Sequence, residues 1–107
     1  VILRRRDAAA SFNADQVSRL ETAAGSVGAP MIFKDSFIER ENDARARRGQ
    51  PPKSMGLTEL GKITAASKGA YAGATLQLPT FNYHTNREST TPRALTALVK
   101  TLLALTP

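Results

Sequence analysis

The sequence predicts a single α+β domain spanning residues 1–107, with an antiparallel β-sheet and a C-terminal helix packed on one face of it. Two stretches carry this prediction. Residues 71–83, YAGATLQLPTFNY, alternate in polarity, which is typical of a half-buried strand. Residues 91–105 begin with Thr-Pro and repeat leucine at helical spacing, which is typical of an amphipathic helix.

Composition limits the class of protein. The chain has 107 residues and 41% hydrophobic content, so its core is small and a partner subunit is expected to add stability. It contains no cysteine, which excludes disulfides and thiolate sites, and no cofactor or metal is expected. Its apolar runs are far shorter than the roughly 20 residues that span a bilayer, so no membrane partner is expected and the chain is predicted to be soluble and intracellular when made.

The charge predicts a polyanionic partner. Fifteen Lys and Arg residues against nine Asp and Glu residues give a formal net charge of +6. Such an excess attracts nucleic acid over a long range, and neutralising phosphates releases counterions. The alternative is that the charge serves only solubility.

The first thirty residues give weak signals. Residues 1–5 are predicted as a short strand. Residues 11–25 are ambiguous, because Asn13 or Asp15 can cap a short helix, or residues 16–22 can form a strand with alternating sides. The run GSVGAP, residues 25–30, predicts a turn.

Two further strands and a loop are predicted in the middle of the chain. Residues 31–38, MIFKDSFI, are rich in β-forming residues and place Lys34 and Ser36 on the face opposite Phe33. Residues 39–56 are charged and close with glycine and two prolines, which is typical of a loop. Residues 57–66, LTELGKITAA, are predicted as another strand.

The C-terminal helix is predicted to cover the apolar face of the sheet. Thr91 can cap it, and Pro92 suits its first position because the missing N–H would be unpaired there anyway. Its apolar stripe is predicted to form the core or a dimer interface and consists of Leu95, Leu98, Val99 and Leu102.

The other face of the sheet is predicted to bind RNA. Lysines contact phosphates, hydroxyls contact base edges or sugars, and an aromatic ring stacks on an unpaired base. The predicted RNA-binding residues on this face are Tyr71, Thr75, Lys34, Ser36, Lys62 and Thr64. Three arginines of the predicted loop, Arg45, Arg47 and Arg48, are expected either to contact RNA or to lie on a solvated connection.

Residues 71–81, with the polar turn and leucine-rich helix that follow, resemble the last strand and first C-terminal helix of the coat proteins of single-stranded RNA bacteriophages. The resemblance implies an N-terminal hairpin, an intertwined homodimer and a non-enzymatic capsid protein that self-assembles into an icosahedral shell. Such a protein is made in the bacterial cytoplasm, packages single-stranded RNA in the virion and in several members binds an operator hairpin. Tyr71 would be the base-stacking tyrosine, whereas Gly73 and Thr75 depart from the family pattern. A helix over residues 14–24 would weaken this resemblance.

A second resemblance concerns three pieces in the same order. PMIFKDSF (30–37), GLTELGKI (56–63) and LQLPTF (76–81) resemble parts of the barrel synthases that make 3-deoxy sugar acid phosphates from phosphoenolpyruvate. The resemblance implies that Lys34 is a substrate ligand. That fold takes about 250 residues, so this chain would correspond to a fragment of it.

Two more classes of protein are considered. One is a small basic nucleic-acid-binding module that does not assemble, and the other is an enzyme with a nucleophile and a base. The run RRGQPPK, residues 47–53, resembles a minor-groove hook, but Gln50 stands where such a motif prefers arginine. His84 and Ser89 lie close in sequence, yet a polar turn explains them without catalysis. The single histidine also lacks the paired ligand spacing of a metal site.

Overall fold

The computed structural model describes residues 1–106 and confirms an α+β architecture. The chain forms four helices and a small three-stranded sheet. In chain order the elements are β1 (Ile2–Leu3), α1 (Ala14–Ser26), β2 (Ile32–Phe33), α2 (Lys34–Arg47), α3 (Glu59–Ala66), β3 (Leu76–Gln77) and α4 (Pro92–Leu105).

The sheet is mixed, so the prediction of a wholly antiparallel sheet is wrong. Its strand order is β2-β1-β3. β1 runs parallel to β2, with Ile2 opposite Ile32, and antiparallel to β3, with Ile2 opposite Gln77. The parallel pair arises because α1 supplies the long crossover connection that two parallel strands need.

α1 resolves the ambiguity of residues 11–25 in favour of a helix. The Asn13 side chain accepts a hydrogen bond from the Gln16 backbone N–H at 3.0 Å, as an N-cap does. The buried residues Val17, Leu20 and Ala24 follow the helical period. Within residues 1–106 no strand hairpin precedes this helix, and the N-terminal segment has only an isolated bridge between Arg6 and Ser11.

α2 corrects the predicted strand over residues 31–38 and the predicted loop over 39–56. Only Ile32–Phe33 is a strand, and Lys34 begins a helix that ends at Arg47. Good helix formers dominate from residue 39 onward, and pairs such as Glu41 and Arg45 stand four residues apart in the favourable order. The β-forming residues at 31–38 therefore form a strand much shorter than predicted.

α3 likewise replaces a predicted strand at 57–66. Thr58 is its N-cap, because its hydroxyl oxygen accepts a hydrogen bond from the Gly61 backbone N–H at 3.0 Å. An eight-residue segment fits both the strand and the helix period, and this cap selects the helix.

The segment 71–83 is mostly irregular rather than a continuous strand. Only Leu76 and Gln77 pair in the sheet, because their neighbour β1 is itself two residues long. Pro79, which has no N–H to donate, follows closely. Phe81 and Ser89 then form an isolated antiparallel bridge that closes a polar turn.

α4 has its predicted start but a different packing partner. The Thr91 hydroxyl oxygen accepts a hydrogen bond from the Ala94 backbone N–H at 3.1 Å, and Pro92 is the first helical residue. The helix packs mainly on α1 rather than on the sheet, and it buries Thr101 completely.

The predicted stripe of α4 lies only partly in the core. Leu95, Val99 and Leu102 are close to half exposed, and Leu98 is partly buried. The core instead consists of the α1 apolar face, Leu3 of β1, Phe12 and Ile38. No helix within residues 1–106 is long and apolar enough to cross a membrane.

Candidate anion-binding site

The parallel pair brings two cationic residues to the same edge of the sheet. Arg4 directly follows β1, and Lys34 directly follows β2. The carboxyl ends of parallel strands meet at one edge, and ligands of α/β sheets characteristically bind in the crevice outside those ends. This edge is therefore a candidate ligand site.

A cleft of about 250 Å³ lies at this edge, and we call it the strand-end cleft. Ile2 and Arg4 lie on the same side of β1, whereas Leu3 lies on the opposite side and is fully buried. The lining residues of the cleft are Ile2, Arg4, Lys34, Gln77, Leu78, Thr80 and Tyr83. The cleft thus combines two cations, polar amide and hydroxyl groups, and an apolar wall.

Two neutral oxygen atoms hold Arg4 in place. Its Nε donates a hydrogen bond to Oε1 of Gln77 at 3.1 Å, and its Nη1 donates one to the backbone carbonyl of Met55 at 2.7 Å. Arg4 makes no ion pair within residues 1–106. Its orientation is therefore fixed while its positive charge stays uncompensated.

The next two arginines differ from Arg4 because acidic residues of α2 pair with them. Nη1 of Arg5 lies 3.6 Å from a carboxylate oxygen of the buried Asp35, whose other oxygen accepts the Arg5 backbone N–H at 2.9 Å. Nη2 of Arg6 lies 2.6 Å from a carboxylate oxygen of Glu39. Of the three successive arginines, only Arg4 adds an unpaired charge to the cleft.

Lys34, the first residue of α2, contributes the second positive charge to the cleft. Its Nζ lies 5.5 Å from the ring centroid of Phe37 and has no acidic partner in the described part of the chain. Phe33, the N-cap, offers no side-chain acceptor to the first N–H groups of the helix. The positive end of the helix dipole adds to the charge of Lys34.

Asp7 holds the segment before α3. Its Oδ2 accepts hydrogen bonds from the Thr58 backbone N–H at 2.9 Å and the Thr58 hydroxyl at 2.7 Å. Its Oδ1 accepts the backbone N–H groups of Ala9 and Ala10. Burial acts to raise the pKa of the Asp7 carboxyl, but these hydrogen bonds outweigh burial and leave the pKa below its ordinary value. Asp7 thereby anchors the loop that presents the Met55 carbonyl to Arg4.

The arrangement of the cleft suits a small anion. Phosphate and carboxylate oxygens accept charge-assisted hydrogen bonds from guanidinium and ammonium groups. Gln77 and Thr80 offer polar contacts, and Ile2 and Leu78 offer apolar contact to a short carbon skeleton. Within residues 1–106 no group of acidic or histidine side chains is suited to hold a metal ion.

The residues predicted to bind RNA lie on several elements rather than on one sheet face. Lys34 and Ser36 lie in the first turn of α2, and Lys62 and Thr64 lie on α3, where Thr64 is buried. The remaining ones lie before β3 (Tyr71, Thr75) and at the end of α2 (Arg45, Arg47, Arg48). Tyr71 is 70% exposed and free to stack. RNA binding by these residues stays a prediction.

Sequence reasoning singled out Lys34 but missed Arg4 and the holding role of Gln77. The available signal was the run VILRRR, residues 1–6, in which β-forming residues give way to arginines and so mark the end of a strand. Nothing in the sequence shows which of the three arginines lacks an acidic partner. That distinction comes from the position of α2.

Comparison with protein-family models, with curated proteins and with solved structures found no match to this chain.

Proposed function

We propose that the strand-end cleft binds a small phosphorylated carboxylate of the phosphoenolpyruvate type, with Lys34 as a ligand. One observation carries the proposal: Arg4 and Lys34 follow two parallel strands, line one cleft and have no acidic partner within residues 1–106. A phosphorylated carboxylate supplies the negative charge that these two residues lack.

The resemblance to the sugar acid phosphate synthases supports the same ligand. Lys34, the lysine of the first similar piece, lies at the carboxyl end of β2, where barrel enzymes place substrate-binding groups. The last similar piece supplies Gln77 and Thr80 to the cleft. A strand, a helix and a second parallel strand form the repeating unit of such barrels, and β1, α1 and β2 are arranged in that way.

Isothermal titration calorimetry of the chain with phosphoenolpyruvate at low ionic strength tests this proposal. We expect saturable binding to the wild type and a loss of affinity of about tenfold or more in Lys34→Met, because a charge-assisted hydrogen bond is removed. Lys62→Met is the matched control, because Lys62 is exposed on α3 and does not line the cleft. Circular dichroism verifies that both variants fold.

Two results would contradict this proposal. One is the absence of saturable heat with the wild-type chain. The other is equal affinity in the wild type and Lys34→Met, which would place the ligand away from β2.

A second candidate is RNA binding by a coat-like or simply basic domain, and the exposed end of α2 favours it. Arg47 and Arg48 are exposed there without an ion-pair partner in residues 1–106, and the net charge is +6. The intertwined dimer and the RNA-filled shell are expectations of the coat-protein resemblance alone. The helix at residues 14–26 and the mixed sheet count against that family.

Size-exclusion chromatography with absorbance at 260 and 280 nm tests the second candidate on protein made in bacteria. Uniform particles rich in nucleic acid, seen by negative-stain microscopy, would support the coat protein. A small species with bound RNA would support the non-assembling module. A small species free of nucleic acid would leave the strand-end cleft as the functional site to pursue.

A further inference from the structure

We propose that Arg4 is a second ligand of the strand-end cleft, so that the cleft prefers molecules with two anionic groups over molecules with one. This inference rests on the proposed function, since it concerns the same cleft. It assigns a role to a residue outside the three pieces on which the synthase resemblance depends.

The hydrogen bonds of Arg4 leave three of its five guanidinium donors free. A guanidinium carries five N–H donors in a planar fork. Gln77 accepts the Nε–H, and the Met55 carbonyl accepts one of the two Nη1–H donors. The other Nη1–H and both Nη2–H donors have no acceptor within residues 1–106. These remaining donors can form charge-assisted hydrogen bonds to the oxygens of a carboxylate or phosphate.

The two holding contacts favour ligand binding because they restrict the side chain without neutralising it. An arginine that is free in solution loses rotamer entropy when it binds a ligand, and that loss reduces affinity. Here Gln77 and Met55 have already fixed the orientation of Arg4. Arg5 and Arg6, by contrast, pair with Asp35 and Glu39 and do not line the cleft.

Arg4 and Lys34 are complementary in chemistry as well as in position. Lys34 is a compact charge on a flexible stem, whereas Arg4 is a held planar fork. A ligand with a single anionic group satisfies one of them fully. A ligand with a phosphate and a carboxylate on a short skeleton satisfies both, so the second cation raises selectivity as well as affinity.

Titration with three probes in parallel tests this inference, namely phosphoenolpyruvate, inorganic phosphate and pyruvate. We expect the wild type to bind phosphoenolpyruvate at least about tenfold more tightly than either single-group probe, since each charge-assisted hydrogen bond adds affinity. In Arg4→Gln the ratio of these affinities should fall to about one. A general loss of packing would weaken all three ligands together, so the ratio of affinities distinguishes a ligand from a structural residue.

Two further variants keep the inference falsifiable if Arg4→Gln fails to fold. Gln77→Leu removes one holding contact but keeps the guanidinium, so we expect a smaller preference that stays above onefold. Arg4→Lys keeps the charge but loses the fork, and its preference should also lie between those of the wild type and Arg4→Gln. A full preference retained in Arg4→Gln, or in both Gln77→Leu and Arg4→Lys, would overturn the inference.

The outcomes for Arg4 and for the proposed function are separable. If no probe binds the wild type, the proposed function fails and the role of Arg4 fails with it. If phosphoenolpyruvate binds and Lys34→Met weakens it while Arg4→Gln keeps the preference, only the inference about Arg4 is wrong.

Discussion

Asp7 and Thr58, 51 residues apart in sequence, are joined by two hydrogen bonds to the same carboxylate oxygen. Thr58 donates both its backbone N–H and its hydroxyl to Asp7, and its hydroxyl oxygen also caps α3. One buried carboxylate therefore connects the end of the β1 segment to the start of α3. Together with the hydrogen bond from the Ala8 backbone N–H to the Gly56 carbonyl at 2.8 Å, this link holds the segment that carries the Met55 carbonyl.

The lowered pKa of Asp7 predicts acid sensitivity. A carboxyl whose pKa is lower in the folded chain stabilises the fold fully above its ordinary pKa of 3.8, and this contribution is lost as the pH falls through the folded pKa. Asp7→Asn should remove that pH dependence and lower the free energy of unfolding by about 1–3 kcal/mol at neutral pH, because buried donors lose an acceptor.

Urea unfolding followed by circular dichroism between pH 3 and pH 7, a window of about one unit below to three above that ordinary pKa, measures both effects. Asp43→Asn, the same chemical change at an exposed site of α2, is the control and should alter stability little. An unchanged pH profile in Asp7→Asn would show that the carboxyl does not stabilise the fold in this way.

Gly61 should tolerate no side chain. A Cβ at this position would collide with the carboxylate of Asp7. Gly61→Ala must therefore displace Asp7 or α3, and we expect a loss of about 1–3 kcal/mol in the free energy of unfolding.

Gly25→Ala provides the matched control for Gly61. Gly25 also lies in a helix, but a Cβ there meets nothing within 4 Å. Because alanine favours the helix, this variant should gain about 0.5–1 kcal/mol. Equal changes of stability in the two variants would refute the close contact between Gly61 and Asp7.

The N-cap of α1 predicts a third measurable effect. Asn13→Ala removes the acceptor for the Gln16 backbone N–H and should lower the free energy of unfolding by about 1 kcal/mol. Asn13→Asp keeps a capping oxygen and should retain stability. The thermal midpoints of the three proteins measure this difference, and an Ala variant as stable as the Asp variant would argue against the cap.

The exposed arginines at the end of α2 predict a change in the salt dependence of RNA binding, if the second candidate function holds. Replacing Arg47 and Arg48 with glutamine should reduce the slope of log affinity against log salt by about 1.4, because each phosphate contact on a single strand contributes about 0.7. Replacing Arg93 and Lys100 of α4 with glutamine removes the same net charge elsewhere. Equal slopes in the two double variants would assign the effect to net charge rather than to this surface.

The sequence was most informative where a local signal acts alone. The cap and proline of α4 predicted its start, because Thr91 and Pro92 satisfy backbone requirements without help from the rest of the fold. Residues 31–38 form a strand only at Ile32–Phe33, and residues 57–66 were wrongly predicted as a strand, because short segments fit both periods and long-range contacts help to decide between them. The contacts of Arg5 with Asp35 and of Thr58 with Asp7 are of this long-range kind.

The candidate site was predictable in part. Lys34 was expected as a ligand from the synthase resemblance, and the structure places it at the end of a parallel strand. The role of Arg4 was beyond reach of the sequence, because it depends on where Gln77 and Met55 lie relative to β1. Strand pairing determines the position of Gln77, and the long-range contacts of the segment before α3 determine that of Met55.

The contact between Asp7 and Thr58 also bears on how the molecule opens. It closes a loop that contains α1, β2 and α2 in a chain without disulfides. The hydrogen bonds from Ala8 to the Gly56 carbonyl and from Arg4 to the Met55 carbonyl close nearly the same loop, so losing the three contacts together would release the entropy of a long closed loop. We expect the amide protons of α1 and α3 to exchange with solvent in one cooperative step. A fluctuation that separates Thr58 from Asp7 should also release the Met55 carbonyl and loosen Arg4 in that step.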